Sequence, residues 1–279
     1  MTGGWKAAPW MLWAATATAT AADAGFECLL EPSQVVEIRS SVEGVIASIA
    51  VSRGDIVRQG QPLLELQSAA ERAAVESARY RAQMDGQIAS ARSRIDYATK
   101  KLERLTELQR DNLVSAQARD EADAEKRLAE AELLTATEGR EMARLEHVRA
   151  QEQLALRSIA APFTGVVVDR LLNPGDLAEA GSGRRPALKV ARIDPMRADV
   201  ALPAALFGLV KVGARAWVSP AIGNARFAAT VRGVDRVIDA ASGTFVARLE
   251  LPNPSAQVPG GARCTATIDG ITAPARARP

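Results

Sequence analysis

Few residues in this chain of 279 could do covalent or metal chemistry. There are two cysteines, Cys28 and Cys264, and one histidine, His147. No Cys/His group has the spacing of a metal site. No Gly-x-Ser-x-Gly elbow, phosphate loop or dinucleotide fingerprint occurs. Asp55 and Asp176 could be read as a carboxylate pair. Each follows a glycine in a turn dipeptide, so a structural role is the stronger reading. His147 stands alone in a helical stretch and reads as a surface residue. The five methionines form no cluster, which argues against copper or silver handling. The expectation is a protein without catalytic residues, cofactor or metal. Cys28 and Cys264 are candidates for a disulfide in an exported chain, with two separate buried thiols as the alternative.

The elements that would position these residues start with a leader. Lys6 is the only charge before Asp23, and Ala7 to Ala22 is apolar or small, with Trp10, Leu12 and Trp13 in its first half. Ala22-Asp23-Ala24 and Ala19-Thr20-Ala21 both fit a small-x-small cleavage site. The reading is a secretory signal peptide over residues 1–24, with an uncleaved anchor as the alternative. Cys28 lacks the small residues that a lipoprotein signal places directly before its cysteine. A net charge of +2 favours no nucleic-acid partner.

Two segments resemble each other. Gly44-Val-Ile through Gly54-Asp55-Ile-Val aligns without a gap to Gly165-Val-Val through Gly175-Asp176-Leu-Ala. Both open on Gly-Val, run through aliphatic residues and reach Gly-Asp ten residues on. The Gly-Asp pairs read as tight turns with glycine supplying positive φ. Val42–Val51 and Gly165–Leu172 read as strands. Two similar halves so far apart predict one small β domain, in residues 40–66 and 158–196, with both Gly-led segments in one sheet.

The insertion, residues 67–157, holds no proline and only two glycines, Gly86 and Gly139. Ile88, Ala91, Ile95, Ala98, Leu102 and Leu105 alternate spacings of three and four, the seam of a coiled coil. Asp111-Asn-Leu-Val-Ser115 breaks the pattern and reads as a turn followed by an N-cap at Ser115. A second helix follows from about Ala116 to Arg157, with a less regular seam of Leu128, Ala131, Met142, Leu145 and Val148. One unbroken helix is the alternative, disfavoured because the β halves must meet. Each predicted arm has about 40 to 45 residues, roughly 60–70 Å.

These residues resemble the membrane fusion protein, or periplasmic adaptor, family of Gram-negative efflux and secretion systems. The half-motifs of its lipoyl-like domain appear as Ser41-Val-Glu-Gly44 through Gly60-Gln-Pro-Leu63-Leu-Glu-Leu66, and as Ala161-Pro-Phe163-Thr-Gly165 through Asn173-Pro-Gly175-Asp176. The family's channel-engaging tip motif is matched by Arg104, Leu108 and Ser115, with Leu105 beside them. The resemblance implies an elongated α+β chain: a split lipoyl-like (barrel-sandwich hybrid) β domain, a long antiparallel coiled-coil hairpin and a small β-barrel. It implies an inner-membrane transporter, of resistance-nodulation-division type, and an outer-membrane channel as partners. It also implies a homo-oligomer of six copies, and a location in the periplasm. An ABC-type exporter or type I secretion system is the alternative. A biotin or lipoate carrier is a remote one, because Gln67-Ser-Ala-Ala70 stands where such a domain needs a lysine.

The rest of the chain fits the same scheme. Residues 25–39 read as an N-terminal strand segment. After Ile193-Asp194-Pro195 the texture becomes strand-rich, and Pro203–Val210 reads as a short helix. Residues 197–270 resemble the family's small β-barrel, with Cys264 facing inward by alternation. Residues 271–279 read as a disordered tail. Larger adaptors carry a fourth domain after the barrel, so the resemblance leaves the transporter contact in doubt or moves it to the barrel.

Overall fold

The structure, a computed structural model, describes residues 25–181, 183–223 and 225–272. Residues 1–24, read from sequence as a signal peptide, and most of the tail lie outside the described residues. The described residues divide into two compact units, one within residues 35–191 and one in which residues 25–34 join residues from 192 to 272.

In chain order the strands and helices are β1 (Phe26–Ile38), β2 (Gly44–Ile49), β3 (Ile56–Val57), β4 (Pro62–Leu66), α1 (Ala69–Ala82), α2 (Gly86–Arg110) and α3 (Ala116–Ala155). They continue with β5 (Ser158–Ala160), β6 (Gly165–Arg170), β7 (Leu177–Ala178), β8 (Leu188–Pro203), β9 (Arg215–Pro220), β10 (Phe227–Val234), β11 (Thr244–Leu251) and β12 (Arg263–Ile268).

In the first unit, β5-β4-β2-β7 form one sheet, and β8-β6-β3 lie in another. The Gly44 and Gly165 segments therefore lie in different sheets, against the sequence-based expectation of one. The reason is a reciprocal exchange of short strands. β3, from the first half, pairs with β6 of the second, Ile56 opposite Val166. β7, from the second half, pairs with β2 of the first, Val45 opposite Leu177. The turns repeat the exchange. Gly54 N–H donates to the Val167 carbonyl at 2.8 Å and Val167 N–H to that of Asp55 at 2.9 Å. Gly175 N–H donates to the Ile46 carbonyl and Ile46 N–H to that of Asp176, both at 2.9 Å. Ile46, Val57, Leu63, Leu66, Val167 and Leu188 share one core between the sheets. Two short half-domains thus bury a single apolar interior that neither could form alone.

The inserted segment is helical, but its first arm is not one helix. α1 has 14 residues, α2 has 25 and α3 has 40. The break falls at Gln83–Asp85. Gln83 N–H is shared between the Arg79 and Tyr80 carbonyls, Met84 N–H reaches only Arg81, and Asp85 starts α2 by accepting from Ala89. Asp85 and Gly86 are poor helix formers, so the sequence restarts there rather than continuing.

The other unit is a closed ring of six strands in the order β1-β12-β9-β10-β11-β8, completed by pairing of β8 with β1. The N-terminal strand segment is thus a stave of the barrel, paired from Phe26 to Leu29 with β12. Leu30, Met196, Leu202, Val218, Phe245 and Leu251 fill the interior, alternating with outward residues as the pleat requires. The predicted helix at Pro203–Val210 is reduced to a 3-10 turn, Ala204–Leu206, before Gly208 takes φ +86°. That left-handed backbone cannot continue a helix.

Candidate functional site

The candidate site is the turn between α2 and α3 and the helical arm beneath it. α2 ends in a Schellman motif. Leu113 N–H donates to the Leu108 carbonyl at 2.9 Å and Asn112 N–H to that of Gln109 at 3.0 Å. Asn112 takes φ +57°, a conformation that asparagine tolerates better than most side chains. Three residues later Ser115 caps α3, its hydroxyl accepting from Ala118 N–H at 3.3 Å. The turn is therefore closed by local hydrogen bonds on both sides.

The four residues singled out in sequence fall on these two helix ends. Arg104 is exposed on α2, Leu105 and Leu108 are half-buried, and Ser115 is spent on the cap. The large apolar group that is offered at the turn is Leu113, 69% exposed. Sequence reasoning missed it by treating Asp111–Val114 only as a break.

Below the turn, ion pairs cross from the first arm to α3 with opposite chain direction. Lys101 meets Glu125, Arg94 meets Glu132 at 2.6 Å, Asp85 meets Arg140 at 3.0 Å and Arg81 meets Glu146 at 3.5 Å. Numbers rise on one side as they fall on the other, so the arms run antiparallel. The hydrogen bond that Lys101 donates to the Glu125 carboxylate raises the Lys101 pKa. On α2 the buried positions are Ile88, Ala91 and Ala98, as the spacing predicts.

On α3 the predicted seam is wrong. Leu128 is 63% and Met142 61% exposed, and Leu145 and Val148 also face outward. The buried positions are Ala122, Ala129 and Ala150, with half-buried Ala136 and Ala143 between them. Alanine therefore recurs every seventh residue from 122 to 150, and its small size lets the helices approach closely. His147, read from sequence as a surface residue, also turns inward: its Nε2 is buried without a hydrogen-bond partner.

The turn residues of the β halves have structural partners. The Asp55 carboxylate accepts from Ser52 N–H at 2.7 Å, and that of Asp176 from Asn173 N–H at 2.8 Å. Gly54 and Gly175 take φ +93° and +94°. Gly44 and Gly165 differ: a Cβ on Gly165 would lie 2.3 Å from the Ala191 carbonyl oxygen, whereas one on Gly44 would meet the end of Arg157. In the barrel Cys28 and Cys264 stand opposite each other on β1 and β12 and are joined by a disulfide. Among the described residues, no cluster of His, Cys, Asp and Glu could hold a metal ion, and no helix is long and apolar enough to cross a membrane.

A family model for the CzcB-like barrel-sandwich hybrid domain matches residues 34–182. The chain belongs to this CzcB-like family. Two curated relatives of the CzcB-like chain are the pyoverdine export membrane fusion protein PvdR of Pseudomonas aeruginosa and the multidrug resistance protein MdtE of Escherichia coli. PvdR is 25% identical over 198 residues, covering 71% of this chain and 51% of that protein. MdtE is 27% identical over 251 residues, covering 85% and 62%. The chain thus spans about half to three fifths of the length of these relatives. The crystal structure of MacA from Actinobacillus actinomycetemcomitans has a TM-score of 0.72 at 21% identity, covering 88% of this chain and 77% of that one. That likeness is one of fold.

Proposed function

We infer that the chain is a periplasmic adaptor, a membrane fusion protein that links an inner-membrane transporter to an outer-membrane channel for efflux. The observation that carries this reading is the hydrogen-bond exchange between the β halves, from whose open side an antiparallel helical arm departs and returns. Such an arm is longer than packing of that small core requires. The arm acts as a coiled-coil hairpin whose tip docks on the channel through Arg104, Leu105 and Leu108, with Leu113 as the apolar contact and Ser115 holding the turn. The outward stripe of Leu128, Met142 and Leu145 on α3 supports side-by-side packing of copies, six in a ring on the family pattern. The transporter is of the resistance-nodulation-division type on this reading and supplies the driving energy. The adaptor supplies coupling. The relatives named for pyoverdine export and multidrug resistance support export as the task.

The test is export in intact cells. Arg104→Asp, Leu108→Asp and Leu113→Asp are expected to abolish export at normal protein levels, whereas Arg119→Asp, behind the turn, is not. Unchanged export in all three tip variants overturns tip docking. Isolation of the complex from membranes identifies the transporter, and an ABC-type exporter there replaces the resistance-nodulation-division reading.

A further inference from the structure

Two loops and both ends of the barrel chain converge on one rim. β9 begins there, since Ile268 at the end of β12 lies opposite Ala216. β8 ends there with Pro203 opposite Thr244, the start of β11. Ala204 N–H donates to the Gly243 carbonyl at 2.9 Å, tying the loop after β8 to the loop after β10. β1 starts at the same rim, with Phe26 opposite Ala266.

This rim carries several exposed large apolar side chains. Leu209 is 61%, Val212 66% and Val237 80% exposed, and Phe207 and Ile238 are each at least 40% exposed. The exposure does not come from loose loops. The Phe207 ring stands edge-on to the buried Phe245 ring at 5.5 Å, and Val210 is buried in the barrel core. Gly243 N–H donates to the Asp239 carbonyl at 2.8 Å, and the Asp239 carboxylate accepts from Ala241 and Ser242 N–H. The loops are held, and their apolar side chains still point outward. A soluble surface shows single exposed apolar groups everywhere, but not several on neighbouring loop tips without a reason.

The charges of the rim balance. Lys211, Arg215 and Arg236 stand against Asp235, Asp239 and Asp269, so apolar transfer rather than net charge would drive any binding. Lys211 lies between Leu209 and Val212, and Arg236 precedes Val237, where long cationic side chains can reach up to phosphates while the apolar groups sink. The sequence that leads into β1 contains Trp10, Leu12 and Trp13 in a stretch of apolar or small residues from Ala7 to Ala22. Tryptophan favours the bilayer interface.

We propose that this rim of the barrel rests on a phospholipid surface, inserting Leu209, Val212 and Val237 among the headgroups. A separate protein is the other occupant such a rim could have. The lipid surface is favoured because the apolar tips are few, separate and interleaved with Lys211 and Arg236, and because the Trp-bearing segment, where it is retained as an anchor, enters the chain just before β1. The inference goes beyond the adaptor reading and does not require it: vesicle binding and tip-dependent export can fail separately.

The test is amide hydrogen exchange of the full chain with and without vesicles of phosphatidylethanolamine and phosphatidylglycerol. Exchange is expected to slow in residues 207–213 and 235–243 and to stay unchanged in 221–227, at the opposite rim. This pattern separates the rim from any binding through residues 1–24 alone, which would leave both loops unprotected and overturn the proposal. Leu209→Asp with Val237→Asp is expected to remove the protection and to weaken vesicle partitioning of the full chain about tenfold or more. Far-ultraviolet circular dichroism checks that the double variant is folded. Protection that appears only when a transporter protein is reconstituted into the vesicles assigns the rim to a protein partner and overturns the lipid surface.

Discussion

Arg157 Nη2 lies 2.6 Å from a carboxylate oxygen of Glu71, joining the last turn of the returning arm to the first turn of the outgoing one. The two side chains are 24% and 21% exposed. The same guanidinium donates from Nη1 to the Glu43 carbonyl at 3.0 Å. One side chain therefore clamps both arms to the strand that begins at Gly44. Removing it by Arg157→Ala is expected to lower stability by about 1 kcal/mol, discounted for partial exposure. It should also speed amide exchange in α1 while leaving β9–β12 unchanged. Denaturant unfolding and exchange mass spectrometry measure the two effects.

Gly44 and Gly165 are equivalent in the sequence repeat and unequal in the fold. At Gly165 a methyl group would strike the backbone carbonyl of Ala191, so β6 and β8 must separate. Gly165→Ala is expected to cost about 2–3 kcal/mol. At Gly44 the obstacle is the movable end of Arg157, 2.7 Å away, so Gly44→Ala should cost less than about 1 kcal/mol, with loss of the Glu43 contact. Thermal unfolding of the two variants side by side decides this, and equal losses would refute the asymmetry.

Much of the β unit was legible because Gly-Asp turns have few alternatives: positive φ at Gly54 and Gly175 requires glycine, and the carboxylates of Asp55 and Asp176 hold the turns. Strand exchange was not legible, since β3 and β7 are two residues each and carry no periodicity. The Asp85–Gly86 break was visible as residue types, but a helix often runs through one glycine. The α3 seam was written in the sequence as alanine every seventh residue. It was passed over because alanine weighs little in a hydrophobicity pattern, and the leucines and methionine on the outer face weighed more.

That error separates two classes of substitution. Ala129→Leu inserts volume between closely packed helices and is expected to destabilise by about 1–3 kcal/mol. Leu128→Ser, one residue away and outward, is expected to change stability by no more than about 0.5 kcal/mol while reducing self-association. Sedimentation velocity and denaturant unfolding of both variants check the pair of outcomes. His147→Leu should raise stability by about 1 kcal/mol, because it removes a buried nitrogen without a partner.

Cys28 and Cys264 link the first and last staves of the barrel across a sequence separation of 236 residues. Closing so long a loop restricts the unfolded chain, a contribution of about 5.5 kcal/mol in the chain-entropy account. Protein recovered from an oxidising compartment is expected to give a linked peptide under non-reducing conditions. A thiol reductant should lower the unfolding midpoint of the barrel. Free thiols in the recovered protein would refute the link.

The rim loop 235–243 has its own acid limit. The Asp239 carboxyl is held below its usual value of 3.8 first by the Ser242 N–H and then by the Ala241 N–H. A carboxyl with a lowered folded pKa contributes stability that is fully present above the unfolded value and is lost as pH falls through the folded one. The loop is therefore expected to keep its form down to about pH 4 and to loosen only below the ordinary aspartate range. Asp239→Asn retains an acceptor oxygen but cannot titrate, so it should abolish the acid transition of this loop without opening it at neutral pH. The amide shifts of Ala241 and Ser242, followed by NMR against pH, report the titration directly. A midpoint at or above 3.8 would mean that those two backbone bonds do not hold the charged form.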